Sequence, residues 1–330
     1  MADATYDVCC IGNAIVDVLT SVDDAFLTEN GFDKGIMTLI DEDQAEAIYA
    51  KLGPAKEVSG GSAGNTVAGI AQLGGKAAYI GRVRDDQLGQ IFRHDITASG
   101  VAFEAPATTS GKSTARCFVM VTPDAQRTMM TYLGACTDLS KEDVSPDLIA
   151  NAKVTYMEGY LWDPPAAKAA IADAADIAHN NGRKVALSLS DPFCVERHRD
   201  TFLELIADRV DILFANEDEI TALFQSDNFD EAASRISAFC EVAALTRSAE
   251  GSVVVAGGER VSVPAAPVEQ VVDTTGAGDL YAAGFLYGFT NGYGLSDCAK
   301  IGGVCAAEII SHMGARPETS LADLVRQAGI

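Results

Sequence analysis

The sequence predicts an α/β fold: a mostly parallel sheet with helices on both faces, and a small β-rich element protruding from it. Two observations carry this. From about residue 150 onward, short apolar runs alternate with stretches of helical spacing. Strands separated by helices pair in parallel, and such a sheet is covered on both sides. By contrast, two segments near 18–40 and 101–131 are rich in β-branched and turn residues, with no helix to cover them. They are expected to form a small sheet, a lid. No repeat or low-complexity linker divides the 330 residues, so one domain spanning 1–330 is expected.

The elements follow in order. "YDVCCIGNAIVDVL" (6–19) reads as a buried strand continuing into extended chain, and "GIMTLI" (35–40) as a short strand. "DEDQAEAIYAKLG" (41–53) has an acidic start, helical spacing and a closing glycine, which mark a helix. Helix 62–74, strand 77–83 and helix 85–100 come next. Residues 101–133 predict two or three antiparallel strands. Then strand and helix alternate: "KVTYMEGYLW", a helix from 166, "RKVALSLSD", a helix near 194–209, "VDILFAN" and "EDEITALF". "VAALTRS" and "GSVVVAGG" are strands, and helices near 276–291 and 296–312 close the chain.

Composition excludes several functions. The net charge of −23 and the lack of a Lys/Arg cluster leave no basic footprint for nucleic acid. Charges and glycines break every apolar run before it reaches the length of a membrane span. The acidic N-terminus has no basic n-region or cleavage site, so a cytoplasmic protein is expected. Eight scattered cysteines form no C-x-x-C pair, and the four histidines complete no zinc pattern, so free buried thiols are expected.

Two phosphate-binding signals are false. "SGKST" (110–114) contains a Gly-Lys-Ser, but the P-loop glycine five positions before Gly111 is Pro106. No G-x-G-x-x-G follows the first strand, which disfavours a dinucleotide dehydrogenase.

"VVDTTGAGDLYAAGF" (271–285) is different. Small residues let backbone amides converge at a helix start, where they favour an anion. A carboxylate there repels phosphate, yet Asp279 directly follows Gly276-Ala277-Gly278. Phosphoryl transfer resolves the conflict. The amides stabilise the moving phosphoryl group, and the carboxylate accepts the proton of the attacking hydroxyl. A glycine turn capped by an acid is the plain alternative.

"DTTGAGD" (273–279) resembles the C-terminal signature of the ribokinase-like (PfkB) family of carbohydrate and nucleoside kinases. "GGSAGNTVAGIAQLG" (60–74) with "YIGRVRDDQLG" (79–89) resembles its N-terminal signature, and "NEDE" (216–219) its N-x-x-E motif. The motifs come in family order across most of the chain. The resemblance implies a three-layer sandwich with a β lid, and an ATP- and Mg²⁺-dependent kinase.

It also implies site roles. Gly276, Ala277 and Gly278 would form the anion hole, with Asp279 as base. Asn216 and Glu219 would organise Mg²⁺, mostly through water, although "NEDE" alone reads as a helix cap. Gly60, Gly61 and Asn65 match the substrate-hydroxyl region. Arg127 matches an arginine that the adenosine-kinase branch places near the transferred phosphate, with a surface salt bridge as the equal alternative. Thr246 and Gly251 match nucleotide contacts, though Ser248 stands where the family usually has glycine. Asp273 and Thr275, with "GARPET" (314–319) opposite, match part of a monovalent-cation site that would take K⁺.

For the acceptor, "GNAIVD" resembles the opening of the adenosine-kinase branch, with Asn13 and with Asp17 on the ribose diol. Sugar kinases of the family carry that aspartate too. Phe118, Met129, Tyr160 and Trp162 are candidates for an apolar base slot, each also readable as packing. The favoured acceptor is a nucleoside, adenosine above others. A sugar kinase for ribose, fructose or a keto-sugar acid is the alternative. A catalytically silent binding protein is the alternative from another class, and the retained Asp279 argues against it. Monomer and homodimer both remain open.

Overall fold

A computed structural model describes residues 4–124 and 126–330. Its main sheet has eight strands in the order β13-β12-β11-β10-β9-β8-β1-β5. They are β1 (Tyr6–Ile11), β5 (Ala77–Ile80), β8 (Ala152–Glu158), β9 (Lys184–Ser188), β10 (Ile212–Asn216), β11 (Val242–Thr246), β12 (Ser252–Ala256) and β13 (Glu259–Val263). All neighbours from β11 to β5 are parallel, while β12 and β13 add an antiparallel hairpin.

Each face of this sheet has its own apolar core. Val8 and Cys10 point into one, Cys9 and Ile11 into the other, as the two-residue period of a strand requires. Helices Ser62–Gln72, Gln87–Ala98, Ala277–Thr290 and Leu295–Ile309 cover the first face. Helices Pro165–Asn180, Pro192–Arg209, Glu217–Phe224 and Phe229–Ile236 cover the second. The result is a three-layer sandwich. All eight cysteines are free, and seven are buried.

The second sheet has five strands in the order β3-β7-β6-β2-β4. They are β2 (Ile15–Ser21), β3 (Met37–Leu39), β4 (Lys56–Gly60), β6 (Ala115–Val121) and β7 (Arg127–Tyr132). The run read as one extended strand is therefore two: the chain leaves the main sheet at Gly12 and enters the small one at Ile15. Residues 101–133 hold two strands, antiparallel to each other as expected, although β6 pairs with β2 in parallel. The sequence reading missed β4, β13 and the helices Asp24–Glu29, Phe229–Ile236 and Leu321–Gln327. These are short elements, whose few residues give weak periodic signal. Among the described residues, no helix is long and apolar enough to cross a membrane.

Candidate active site

The order of the main sheet reverses at β1, which has β5 on one side and β8 on the other. In open α/β sheets the crevice beyond such a switch point is where ligands bind. Glu158, the last residue of β8, stands there fully buried. Its two oxygens accept from the backbone amides of Asn13 and Ala63, both at 2.8 Å. Burial pushes its carboxyl up to about 7. The sequence reading passed over Glu158. An acid closing an apolar strand at a switch point was the available signal.

Ala63 lies in helix Ser62–Gln72, and that helix meets Ala277–Thr290 at Asp279. Ser62 Oγ donates to Asp279 Oδ1 at 2.6 Å, and Asn65 Nδ2 to Oδ2 at 2.9 Å. Burial raises the Asp279 carboxyl, while these two bonds and the Arg316 charge oppose the rise. The first helical bond runs from Leu280 N to Gly276 O. The amides of Gly278 and Asp279 thus have no partner within the helix. Ala277 N–H is turned instead onto Thr274 O at 3.2 Å.

Asp273 ties this loop together. It accepts from Thr275 N at 2.8 Å and from Gly314 N at 2.9 Å. Arg127, on β7 of the small sheet, reaches across to it at 2.8 Å and also donates to Thr275 Oγ1. The Asp273 side chain is fully buried, so this is no surface salt bridge. Arg127 thus engages Asp273 and Thr275, two of the residues matched to the monovalent-cation site.

Strand alternation decides what the small sheet presents. Asp17 pairs with Cys117, Leu19 with Val119, Val119 with Met129, and Met37 with Met129. Paired residues share a face, and Met129 shares Arg127's face. Asp17, Leu19, Met37, Leu39, Val119 and Met129 therefore face the crevice. Met37 and Leu39 are 51% and 59% exposed while Val119 is buried, so this face is apolar and open at its β3 edge. Asp17 is pushed up to about 6, by burial first and then by Asp279, against the pull of Arg316 and Arg127. A Cβ on Gly60 would meet the Asp17 carboxylate at 2.3 Å, and one on Gly61 would meet Asn13 O at 2.2 Å. These glycines make room for the protein's own Asp17 and Asn13.

Two expected slot residues lie elsewhere. Phe118 pairs with Met130 on the opposite face and packs on Tyr49, so it cannot line the crevice. Trp162 stacks on Phe202 and donates to Thr201 Oγ1 at 2.9 Å, inside the second core. Tyr160, exposed, stays at the crevice rim beside Ser190, whose φ of 74° is rare for a non-glycine residue. Asn65 was expected at substrate hydroxyls, but both ends of its amide are engaged by protein: Nδ2 by Asp279 and Oδ1 by Arg316.

Asn216 and Glu219 form a reciprocal capping box. Glu219 is buried and pushed up to about 7, with Asp191, Asp218 and Asp279 adding to the desolvation. A carboxylate so placed favours a nearby cation, and with its oxygens engaged at Asn216 it suits Mg²⁺ held through water. Ser248 keeps a left-handed φ of 49°, so the backbone retains the glycine conformation of the family pattern. Gly251 serves packing: a Cβ there would meet Val263 O at 2.1 Å. Thr246 ends β11, in the same row of strand ends as Asn216.

A three-layer sandwich with a carboxylate and free amides at one helix start is the frame of a ribokinase-like phosphotransferase. Residues 35–321 match the pfkB family carbohydrate kinases, so the chain belongs to that family and is a kinase. Membership implies ATP as donor, typically with Mg²⁺. Adenosine kinase from Sinorhizobium meliloti is 57% identical, with 98% of this chain and 100% of that one covered and a TM-score of 0.90. A probable sugar kinase from Rhizobium etli CFN 42 is 53% identical, with 99% of both chains covered and a TM-score of 0.91. Adenosine kinase 1 of Arabidopsis thaliana is 26% identical over 343 residues, covering 95% of this chain and 97% of its own.

Proposed function

We propose that the protein transfers the γ-phosphate of ATP to the 5′-hydroxyl of a nucleoside, adenosine above others, with Asp279 as general base. The observation that carries this is a pairing across the crevice. Asp279 lies at an anion-favouring helix start, and Asp17 faces it from an apolar, open sheet face. One carboxylate can accept from two vicinal hydroxyls, which suits Asp17 to a ribose diol. The apolar face of Leu19, Met37, Leu39, Val119 and Met129 suits a nucleobase.

In this reading the whole chain is one kinase domain, and the small sheet is its lid. Closure excludes water, which otherwise competes as acceptor. Asp279 takes the proton of the 5′-hydroxyl as that oxygen attacks the γ-phosphorus in line, and the bond from the γ-phosphorus to the β–γ bridging oxygen breaks to release ADP. The amides of Gly278 and Asp279 receive the charge of the transferring group. Arg127 turns from Asp273 toward the phosphate. Asn216 and Glu219 would hold Mg²⁺ through water, where it would neutralise phosphate charge.

The test is kcat/KM for adenosine against ribose, fructose and a keto-sugar acid. Adenosine should lead, because remote binding energy positions the reacting hydroxyl. The second reading, a sugar kinase, draws support from the Rhizobium etli relative's name. A free sugar outperforming every nucleoside would establish it instead.

A further inference from the structure

The structure assigns Arg316 a role as positioning residue for the catalytic carboxylate, acting through Asn65. Its guanidinium sets the orientation of the Asn65 amide, so that this amide donates to Asp279.

The geometry begins in the loop 314–319. Two buried carboxylates hold that loop. Asp273 accepts from Gly314 N at 2.9 Å. Glu308 Oε1 accepts from Glu318 N at 2.9 Å and from Thr319 N at 2.8 Å. Arg316 is thereby aimed beneath the crevice. Its Nη1 donates to Asn65 Oδ1 and to Gly64 O, both at 2.9 Å. Its Nη2 donates to Ser59 O at 2.6 Å and to Ser59 Oγ at 2.9 Å.

The consequence follows from donor chemistry. An arginine only donates, so the end of Asn65 that meets it must be the carbonyl oxygen. The other end is then the NH₂ group, and it meets Asp279 Oδ2 at 2.9 Å. Flipped, the amide would set its oxygen against a carboxylate oxygen and its NH₂ against a guanidinium. Both contacts would repel. Arg316 thus turns an ambiguous amide into a fixed donor on the base. The "GARPET" stretch was read only as a cation-site wall, because a residue 251 positions from Asn65 gives no sign of contact in the chain.

This inference rests on the reading of Asp279 as base. The experiment is a cycle of Arg316→Met, Asn65→Ala and the double variant, with Asp279→Asn as control. Each single variant should lower kcat roughly 10- to 100-fold, the range for losing a charge-assisted hydrogen bond. KM for ATP should stay within threefold. The double variant should lose much less than the product of the two single losses, because the orienting part of the Arg316 effect runs through Asn65 and only its direct charge on Asp279 and Asp17 remains. A double variant whose loss is the product of the single losses would overturn the inference, as would wild-type kcat in Arg316→Met. Should Arg316→Met fail to fold, Arg316→Lys decides. Lysine keeps a donor for Asn65 Oδ1, so kcat within threefold of wild type supports the role, and a loss as deep as that of Asn65→Ala refutes it. Asp279→Asn separates the two failures. If it stays active, the base assignment falls. If it is inactive while the cycle is additive, only the role of Arg316 falls.

Discussion

The two sheets of this protein are built from similar residues and do different work. The main sheet is parallel, and both its faces are sealed by helices. Its polar residues are driven to the strand ends, where Glu158 and Asn216 stand. The small sheet packs helices Asp24–Glu29 and Glu42–Tyr49 on one face and leaves the other only partly covered, exposed at the β3 edge and buried at Val119. Phe118 and Met130 fill the covered face, while Met129, Met37 and Leu39 are left on the open one. A sheet buried on both sides can hold a site only at its edge, whereas a sheet with one bare face can offer that face to a ligand. The comparison separates scaffold from recognition surface one strand position at a time.

Substitutions can break the comparison. The largest expected effect is at the junction of the two regions. Asp279→Asn keeps size and removes basicity, so kcat should fall roughly 10²–10⁴-fold, as for loss of a general base. Substrate binding, measured by calorimetry, should survive. Near wild-type turnover would sink the assignment.

Next come the two faces of the small sheet. Phe118→Ala should cost about 3–5 kcal/mol of stability by denaturant unfolding, because a buried ring leaves a cavity. Met129→Ser and Met37→Ser should each leave stability nearly intact. They should raise KM for the nucleoside roughly tenfold, about 1–2 kcal/mol of lost apolar contact. Equal destabilisation by all three would mean that the open face is not a binding face.

The last effect is a slope rather than a level, and it concerns Glu158. Its carboxyl ionises near 4.5 when free and near 7 in the fold. Between those values the folded state holds one more proton than the unfolded chain. The stability this group contributes is complete below pH 4.5 and is lost as pH rises through 7. The slope is about 1.4 kcal/mol per pH unit within that window. Glu158→Gln should reduce the slope of the unfolding free energy against pH between 5 and 7 by about 1.4 kcal/mol per pH unit, leaving the part due to Glu219 and Asp17. An unchanged slope would place the titration elsewhere.

Much of this was legible in the chain. The alternation after residue 150 predicted the parallel sheet, and "DTTGAGD" placed Asp279 at a helix start, as the structure shows. What failed did so for identifiable reasons. Phe118 and Met129 looked equivalent as apolar lid residues, yet cross-strand register puts them on opposite faces. Trp162 looked like a slot aromatic because it follows a strand end, but the short helix Gly159–Trp162 turns it back into the core.

By itself, then, the sequence determined the layers, the kinase family and the helix that carries the base. Those depend on periodicities and on loops a few residues long, which local composition records. Only the tertiary structure decided which carboxylates face each other, that Arg127 bridges the sheets to Asp273, and that Arg316 reaches Asn65. These contacts join residues 146 and 251 positions apart. Their partners are chosen by sheet order and burial, and neither is written in any short stretch of chain.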